Sequence, residues 1–290
     1  MTKLRLAALA LVAVVGAGCA GDLPPRSLLQ DLRVLALLAT PLDAGPGESV
    51  RVSAYRLPPR GATIATETWS FCPFTVGASG GDVCAVPACE RRLDPAADGT
   101  VSADPGAEAA SCLATYGVDA VPGSPLPTQV PDQLQTLFRY VVTASDGSSR
   151  EAVLRVPFYP RGAPADRNAP PAVTAITIGG QPMSPPAAPG EQAPAVPKGG
   201  QLEVRVTLSP DSVQRYQDSS GRTVSEQLFV SFFTTDGRFD YDRGVGLDES
   251  VNLKDDKVAD RATPARVYVV AHDDRGGAAV FGPYAVPFSP

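Results

Sequence analysis

The sequence predicts an all-β chain arranged as two tandem β-sandwiches, the first with a disulfide-stabilised, partly helical insert. Three observations carry this. Short apolar runs with a two-residue period recur along the chain, the pattern of strands with one buried face. Pro (30) and Gly (27) are abundant and cluster with Asp between those runs, which favours short strands and many turns over long helices. One strand plan also occurs twice. Tyr140-Val-Val-Thr-Ala-Ser-Asp146-Gly leading to Val156-Pro-Phe158 matches Tyr268-Val-Val-Ala-His-Asp-Asp274-Arg leading to Val286-Pro-Phe288, and Val50-Arg-Val52 matches Val204-Arg-Val206. The period is domain-sized, so these are tandem copies of one plan and not a solenoid.

Taken in order, Lys3 and Arg5 precede an uncharged run from Leu6 to Gly18 that ends at Cys19. The run is shorter than the ~20 residues a membrane span needs, and it fits the apolar core of a signal peptide, residues 1–18. Residues 19–31, with Pro24-Pro25, read as a tether. The first sandwich, 32–160, opens on the apolar run Leu32–Thr40, turns at Asp43-Ala-Gly-Pro-Gly47, and continues with Val50–Tyr55, where Val50, Val52 and Ala54 share a face. Thr63–Phe71 is the next strand. Residues 72–117 carry no strand pattern. Within them, Asp104-Pro105 followed by Glu108 predicts a short helix that carries Cys112 and stops near Gly117. Phe138–Thr143 and Ala152–Tyr159 flank Asp146-Gly147, a hairpin turn signal. The Pro-rich stretch around 161–172 is read as a linker. In the second sandwich, 173–290, strands are expected at Val173–Ile178, Leu202–Leu208, Leu228–Thr235, Arg266–Ala271 and Ala278–Phe288, with a proline-rich loop over Pro182–Pro197.

Cysteine usage fits export. Cys72, Cys84, Cys89 and Cys112 form an even cluster that predicts two disulfides. Three pairings are open, and Cys72–Cys84 with Cys89–Cys112 is the expectation. A metal site would want a CxxC pair or a nearby His, and neither is present.

The ending Gly16-Ala17-Gly18-Cys19 resembles a bacterial lipobox, with Gly16 where Leu is usual. The resemblance implies that Cys19 is acylated with chains such as palmitate, and Ala20 after it implies the outer membrane. Two or more acyl chains, at ~0.8 kcal/mol per buried CH₂, hold a protein firmly to a bilayer. The segment Tyr268-Val-Val-Ala-His-Asp-Asp-Arg-Gly-Gly277 resembles the last hairpin of polycystic-kidney-disease-type and other immunoglobulin-like bacterial modules. Arg33-Val-Leu-Ala-Leu37, together with Trp69-Ser-Phe-Cys72-Pro, looks like a group of myxobacterial envelope lipoproteins. These likenesses imply two immunoglobulin-like domains and a place in the cell envelope. They bring no catalytic residues.

Chemistry is sparse. Removing residues 1–18 takes away two cations and no anions, moving the formal charge from -6 to -8, which argues against nucleic acid as a partner. No GxGxxG follows a strand and no GxxxxGK[ST] occurs, so nucleotide chemistry is not expected. His272 is the single histidine, and no GxSxG elbow exists to pair with it; Gly77-Ala-Ser-Gly-Gly81 reads as a loop. Trp69 is expected in the first core, with a carbohydrate platform as the alternative. Asp236-Gly-Arg-Phe-Asp240-Tyr-Asp242 reads as a turn with solvated charges, and it is also the one candidate for a hard cation such as calcium, with Asp255, Asp256 or Asp273 able to approach. The expectation is a non-catalytic binding or structural lipoprotein whose insert meets another envelope protein or a polysaccharide. The alternatives are an accessory subunit of an envelope complex and a hydrolase acting on cell-wall or extracellular polymer.

Overall fold

The computed structural model describes residues 25–76, 81–116, 132–185, 187–188, 191–217, 221–256 and 258–290. The signal peptide, Cys19 and Gly117 lie outside them. The fold is all-β and of sandwich type, with several sheets and two disulfides.

The N-terminal half packs one sheet on another. β1 (Arg33–Thr40), β2 (Val50–Leu57) and β5 (Val101–Ala103) form the first, in the order β1-β2-β5. The second holds β4 (Arg91–Leu93), β3 (Ile64–Cys72), β6 (Leu134–Ala144) and β7 (Ser149–Phe158), in the order β4-β3-β6-β7. Between them lie Val50, Val52, Trp69, Phe71, Phe138, Tyr140 and Val156, all buried. Trp69 packs against Tyr140 with ring centroids 4.4 Å apart, which places it in the core and not at a carbohydrate platform.

The C-terminal half repeats this wiring. β8 (Val173–Ile178), β9 (Gln181–Met183), β10 (Gln201–Leu208), β14 (Arg238–Phe239) and β16 (Asp248–Lys254) form a sheet ordered β14-β16-β10-β8-β9. β13 (Leu228–Thr234), β15 (Arg243–Val245), β17 (Ala265–Asp273) and β18 (Ala278–Val286) form one ordered β15-β13-β17-β18. A small hairpin joins β11 (Arg215–Gln217) to β12 (Thr223–Ser225). The core of this half draws only on residues 176–288.

The sequence pattern accounts for the long strands. Val204, Val206 and Leu208 alternate inward, while Glu203 and Arg205 face solvent. Two expectations change. The stretch 72–117 is not free of strands: Leu93 pairs with Trp69 across β4 and β3, and Val101 pairs with Val52 across β5 and β2. Three residues carry too little alternation to announce a strand. Nor is 19–31 a free tether throughout. Leu28, Leu29 and Leu32 are buried, Thr234 donates its N–H to the Ser27 carbonyl (2.9 Å), and Leu29 N–H donates to the Thr234 carbonyl (2.8 Å). The apolar side chains gain more by docking than by staying in water.

The insert holds α1 (Pro105–Tyr116), capped as the sequence predicts: Asp104 Oδ1 accepts from Gly106 N (2.9 Å) and Ala107 N (3.0 Å). Its buried apolar set is small, centred on Phe74, Val86, Ala109 and Cys112. Disulfides Cys72–Cys84 and Cys89–Cys112 close loops of 12 and 23 residues around it.

The halves lie side by side, with β1 against β18 and β17 reaching across beside them. Val267, Val269 and Ala271 enter the C-terminal core, while Tyr268 and Val270, on the opposite face, are also buried. Tyr268 meets Tyr55 of β2 edge to face, with centroids 6.0 Å apart. Tyr268→Ala is expected to cost about 3–5 kcal/mol, the usual range for truncating a buried aromatic, read as a lower urea midpoint.

Candidate functional site

Because the halves run side by side, each end of the molecule gathers loops from both. One end carries the docked Leu28, Arg60 from the β2–β3 turn, and Asp236 after β13. Arg60 reaches Asp236 Oδ2 at 3.1 Å. At the other end Asp43, following β1, meets Asn168 and the β17–β18 turn. The residue 168 N–H donates to Asp43 Oδ2 (3.0 Å), and Arg167 bonds Glu48 (2.8 Å). The stretch expected as a linker is thus tied down near its C-terminal end.

This second end opens into a cleft of about 1080 Å³. Its walls come from separate segments: Gln135 and Arg155 of β6 and β7, Tyr159 just beyond, Asp43 and Asn168 at the floor, and Tyr216 with Arg275 from the C-terminal half. Arg275 lies over the Tyr216 ring (4.7 Å) and bonds the buried Glu226 at 2.9 Å. Arg155 pairs with Asp82 of the disulfide insert, so the insert borders the cleft. Beneath the floor, Asn168 donates to the Asp273 carboxylate at the margin of hydrogen-bonding geometry, and Asp43 Oδ1 faces the Arg167 guanidinium at 3.9 Å.

Electrostatics set this end apart. Burial pushes the Asp273 carboxyl above the ordinary carboxylate range, against opposing N–H donors from Gly277 and Arg275. Burial also raises Glu226, although the Arg275 guanidinium donates to it. A Cβ on Gly277 would stand 2.2 Å from Asp273 Oδ2 and 3.0 Å from Leu42, so a side chain there would collide first with the carboxylate of its own turn.

In the acidic segment of β13–β15 the carboxylates are engaged by the protein's own donors. Asp236 is 3% exposed, and its carboxylate accepts from Gly237 N (3.0 Å), Ala259 N (2.8 Å) and Asp260 N (3.2 Å) besides Arg60. Burial opposes ionisation of Asp240, but Asn252 and Tyr241 donate to it, outweigh that cost and hold it below the usual range. Asp242 is exposed. Asp255 is engaged by Arg261 (2.6 Å) and Gly199 N (2.7 Å), Asp256 by Arg238 (3.0 Å), and Asp273 lies at the opposite end. Among the described residues no group of three His, Cys, Asp or Glu side chains can hold a metal ion. Asp236, Asp240 and Asp242 are not brought together because N–H donors, and not a shared cation, satisfy the first two; nor is Asp236 the solvated turn residue the spacing predicted.

His272 is half-buried. Its ring stacks on Phe229 (5.1 Å), and Arg243 lies over that phenyl ring at 4.2 Å. Burial lowers its imidazole pKa. The segment 77–81 lies almost wholly outside the described residues, and Cys19 lies entirely outside. The cleft residues were not legible as a site: they come from distant segments, and the signals that contain Asp43 and Arg275 announce turns only.

No protein-family model and no curated protein matches the sequence. Among solved structures, an Escherichia coli alpha-2-macroglobulin activated by porcine elastase aligns at 14% identity over 93% of this chain and 22% of its own, with a TM-score of 0.25. A putative membrane anchored protein from Corynebacterium diphtheriae aligns at 9% identity over 90% of this chain and 59% of its own, with a TM-score of 0.21. The chain spans less than two thirds of either, and at these TM-scores the likeness carries no argument.

Asp236→Ala strips three backbone N–H groups of their acceptor and should cost about 2–4 kcal/mol, whereas Asp242→Ala should stay within ~0.5 kcal/mol by chemical denaturation. The pH dependence at the other end is opposite to that of most acids. A carboxyl whose folded pKa is raised binds more protons folded than unfolded between the two values, so its contribution to stability falls as pH rises from the ordinary carboxylate range through the raised value. Asp273→Asn, which keeps an acceptor for Gly277 and Arg275, is expected to stabilise the protein at pH 7 and to lose that advantage near pH 4 in paired urea titrations.

Proposed function

We propose that this chain is an exported bacterial lipoprotein, held in the cell envelope by acylated Cys19, whose two tandem immunoglobulin-like sandwiches present a non-catalytic binding face. The observation that carries the binding role is the cleft where both halves meet beside the disulfide insert. It is concave, lined by amide, tyrosine, acidic and guanidinium side chains, and floored by Asp43 and Asn168. Such mixed lining on a rigid scaffold suits recognition of a polar partner, an envelope protein or a polysaccharide.

Two further observations support the reading. Disulfides at Cys72–Cys84 and Cys89–Cys112 belong to an oxidising compartment, in keeping with the N-terminal signal. The conspicuous titratable groups sit in structural roles: His272 in a ring stack, Glu226 in an ion pair, Asp236 as an acceptor of backbone N–H groups.

Cys19→Ser tests the anchor. The variant should leave the membrane fraction and appear as a folded, soluble protein with an unchanged circular dichroism spectrum and melting temperature. Persistence of the variant in membranes would remove the lipid from the reading. Crosslinking of the intact protein in membranes, followed by mass spectrometry, tests the face: crosslinks should concentrate on the insert and the cleft walls.

A further inference from the structure

We infer that the folded body is oriented by its own N-terminal segment, with the Leu28–Thr234 end at the lipid surface and the cleft and disulfide insert at the end turned away from it. The inference rests on the anchor proposed above and extends it to a direction.

The strand registers define two ends shared by both halves. Arg33 pairs with Leu57, Ile64 with Ala144, and Thr234 with Val267, which places the β2–β3 turn, the β6–β7 turn and the end of β13 together. Arg60 bonded to Asp236 joins the halves there. At the opposite ends of the same strands, Thr40 pairs with Arg51, Cys72 with Leu137, Leu134 with Phe158, and Leu228 with Asp273. Leu42 beside Gly277, and the residue 168 N–H on Asp43, join the halves at that end. The disulfide Cys72–Cys84 begins there, and helix α1 reaches it too, because a Cβ on Gly106 would touch Phe158 at 3.0 Å. At about 3.3 Å per residue, β13 and β6 set the two ends roughly 20–33 Å apart.

The chain leaves the first of these ends towards Cys19. Ser27 and Leu29 are hydrogen-bonded to Thr234, and Leu28 and Leu29 are buried, so the body holds the chain from Ser27 onward. Eight residue steps separate Cys19 from Ser27. Fully extended they reach at most about 29 Å. The lipid therefore holds the Thr234 end nearer than the cleft, whose distance adds the length of the strands. A stub attached at the cleft end would give the reverse order, and a tether free through residue 31 would blur it.

The test uses the full lipidated chain in phosphatidylethanolamine–phosphatidylglycerol vesicles that carry a headgroup-linked acceptor dye. A donor dye is placed on Arg266→Cys, at the Thr234 end, or on Asp274→Cys, at the cleft; both positions are exposed. Energy transfer should be severalfold stronger from position 266, and ten Gly/Ser residues inserted after Gly21 should shrink the difference. Equal or stronger transfer from position 274, in protein that floats with the vesicles, would overturn the orientation and leave the anchor intact. Failure of the Cys19 protein to float, in a preparation as well folded as Cys19→Ser, would instead overturn the anchor.

Discussion

The burial of β17 on both faces is the constraint on which the rest depends. Its backbone is paired with β13 on one side and β18 on the other, one row of side chains fills the C-terminal core, and the other row, Tyr268 and Val270, is buried too, with Tyr268 against Tyr55 of the N-terminal half. Each such side chain is worth roughly 1.5–3 kcal/mol relative to exposure, so the halves cannot separate cheaply. Packing along a strand also fixes register. Once Tyr55 meets Tyr268, Arg60 falls beside Asp236 at one end and Leu42 beside Gly277 at the other. The cleft lies at the Leu42–Gly277 end of that alignment, lined from both halves.

The ends of the seam solve the same problem differently. Asp236 is buried, and three backbone N–H groups and a guanidinium surround it, so its charge is well served. Asp273 is equally buried, but burial outweighs its donors Gly277, Arg275 and Asn168 and dominates its ionisation. One end is therefore electrostatically closed. The other keeps a carboxyl whose ionisation burial opposes, beside the cleft.

Much of the fold was legible because local signals were dense. Val173–Ile178 and Leu202–Leu208 announce themselves by alternation, and Asp146-Gly147 sets the β6–β7 hairpin. The continuous apolar runs at Leu32–Thr40 and Val267–Ala271 held more information than a strand assignment takes from them: a strand apolar in both registers is covered on both faces, and these two strands lie along the seam. Strands β4 and β5 were hidden because pairing partners, not periodicity, make them strands. The docking of Leu28 was hidden because its partner is some 200 residues away. The acidic segment showed which residues could ligate but not that Asp236 is buried among N–H donors. An even cysteine count foretold two bonds, while only the fold selects among three pairings.

The insert shows why covalent bonds sit where they do. The two sandwich cores are large and need no staple. The segment from Cys72 to Tyr116 contributes Leu93, Val101 and Ala103 to the main core, but its remaining residues bury only small clusters around Phe74 and Cys84. Closing two loops of this size adds about 2–4 kcal/mol each by restricting the unfolded chain. That is enough to hold a loop-rich surface in one shape without enlarging its core. Arg155 then ties the insert, through Asp82, to the wall of the cleft. A surface built this way can vary in its exposed residues without disturbing the seam, because its shape is held by two disulfides and its position by Asp82 on Arg155.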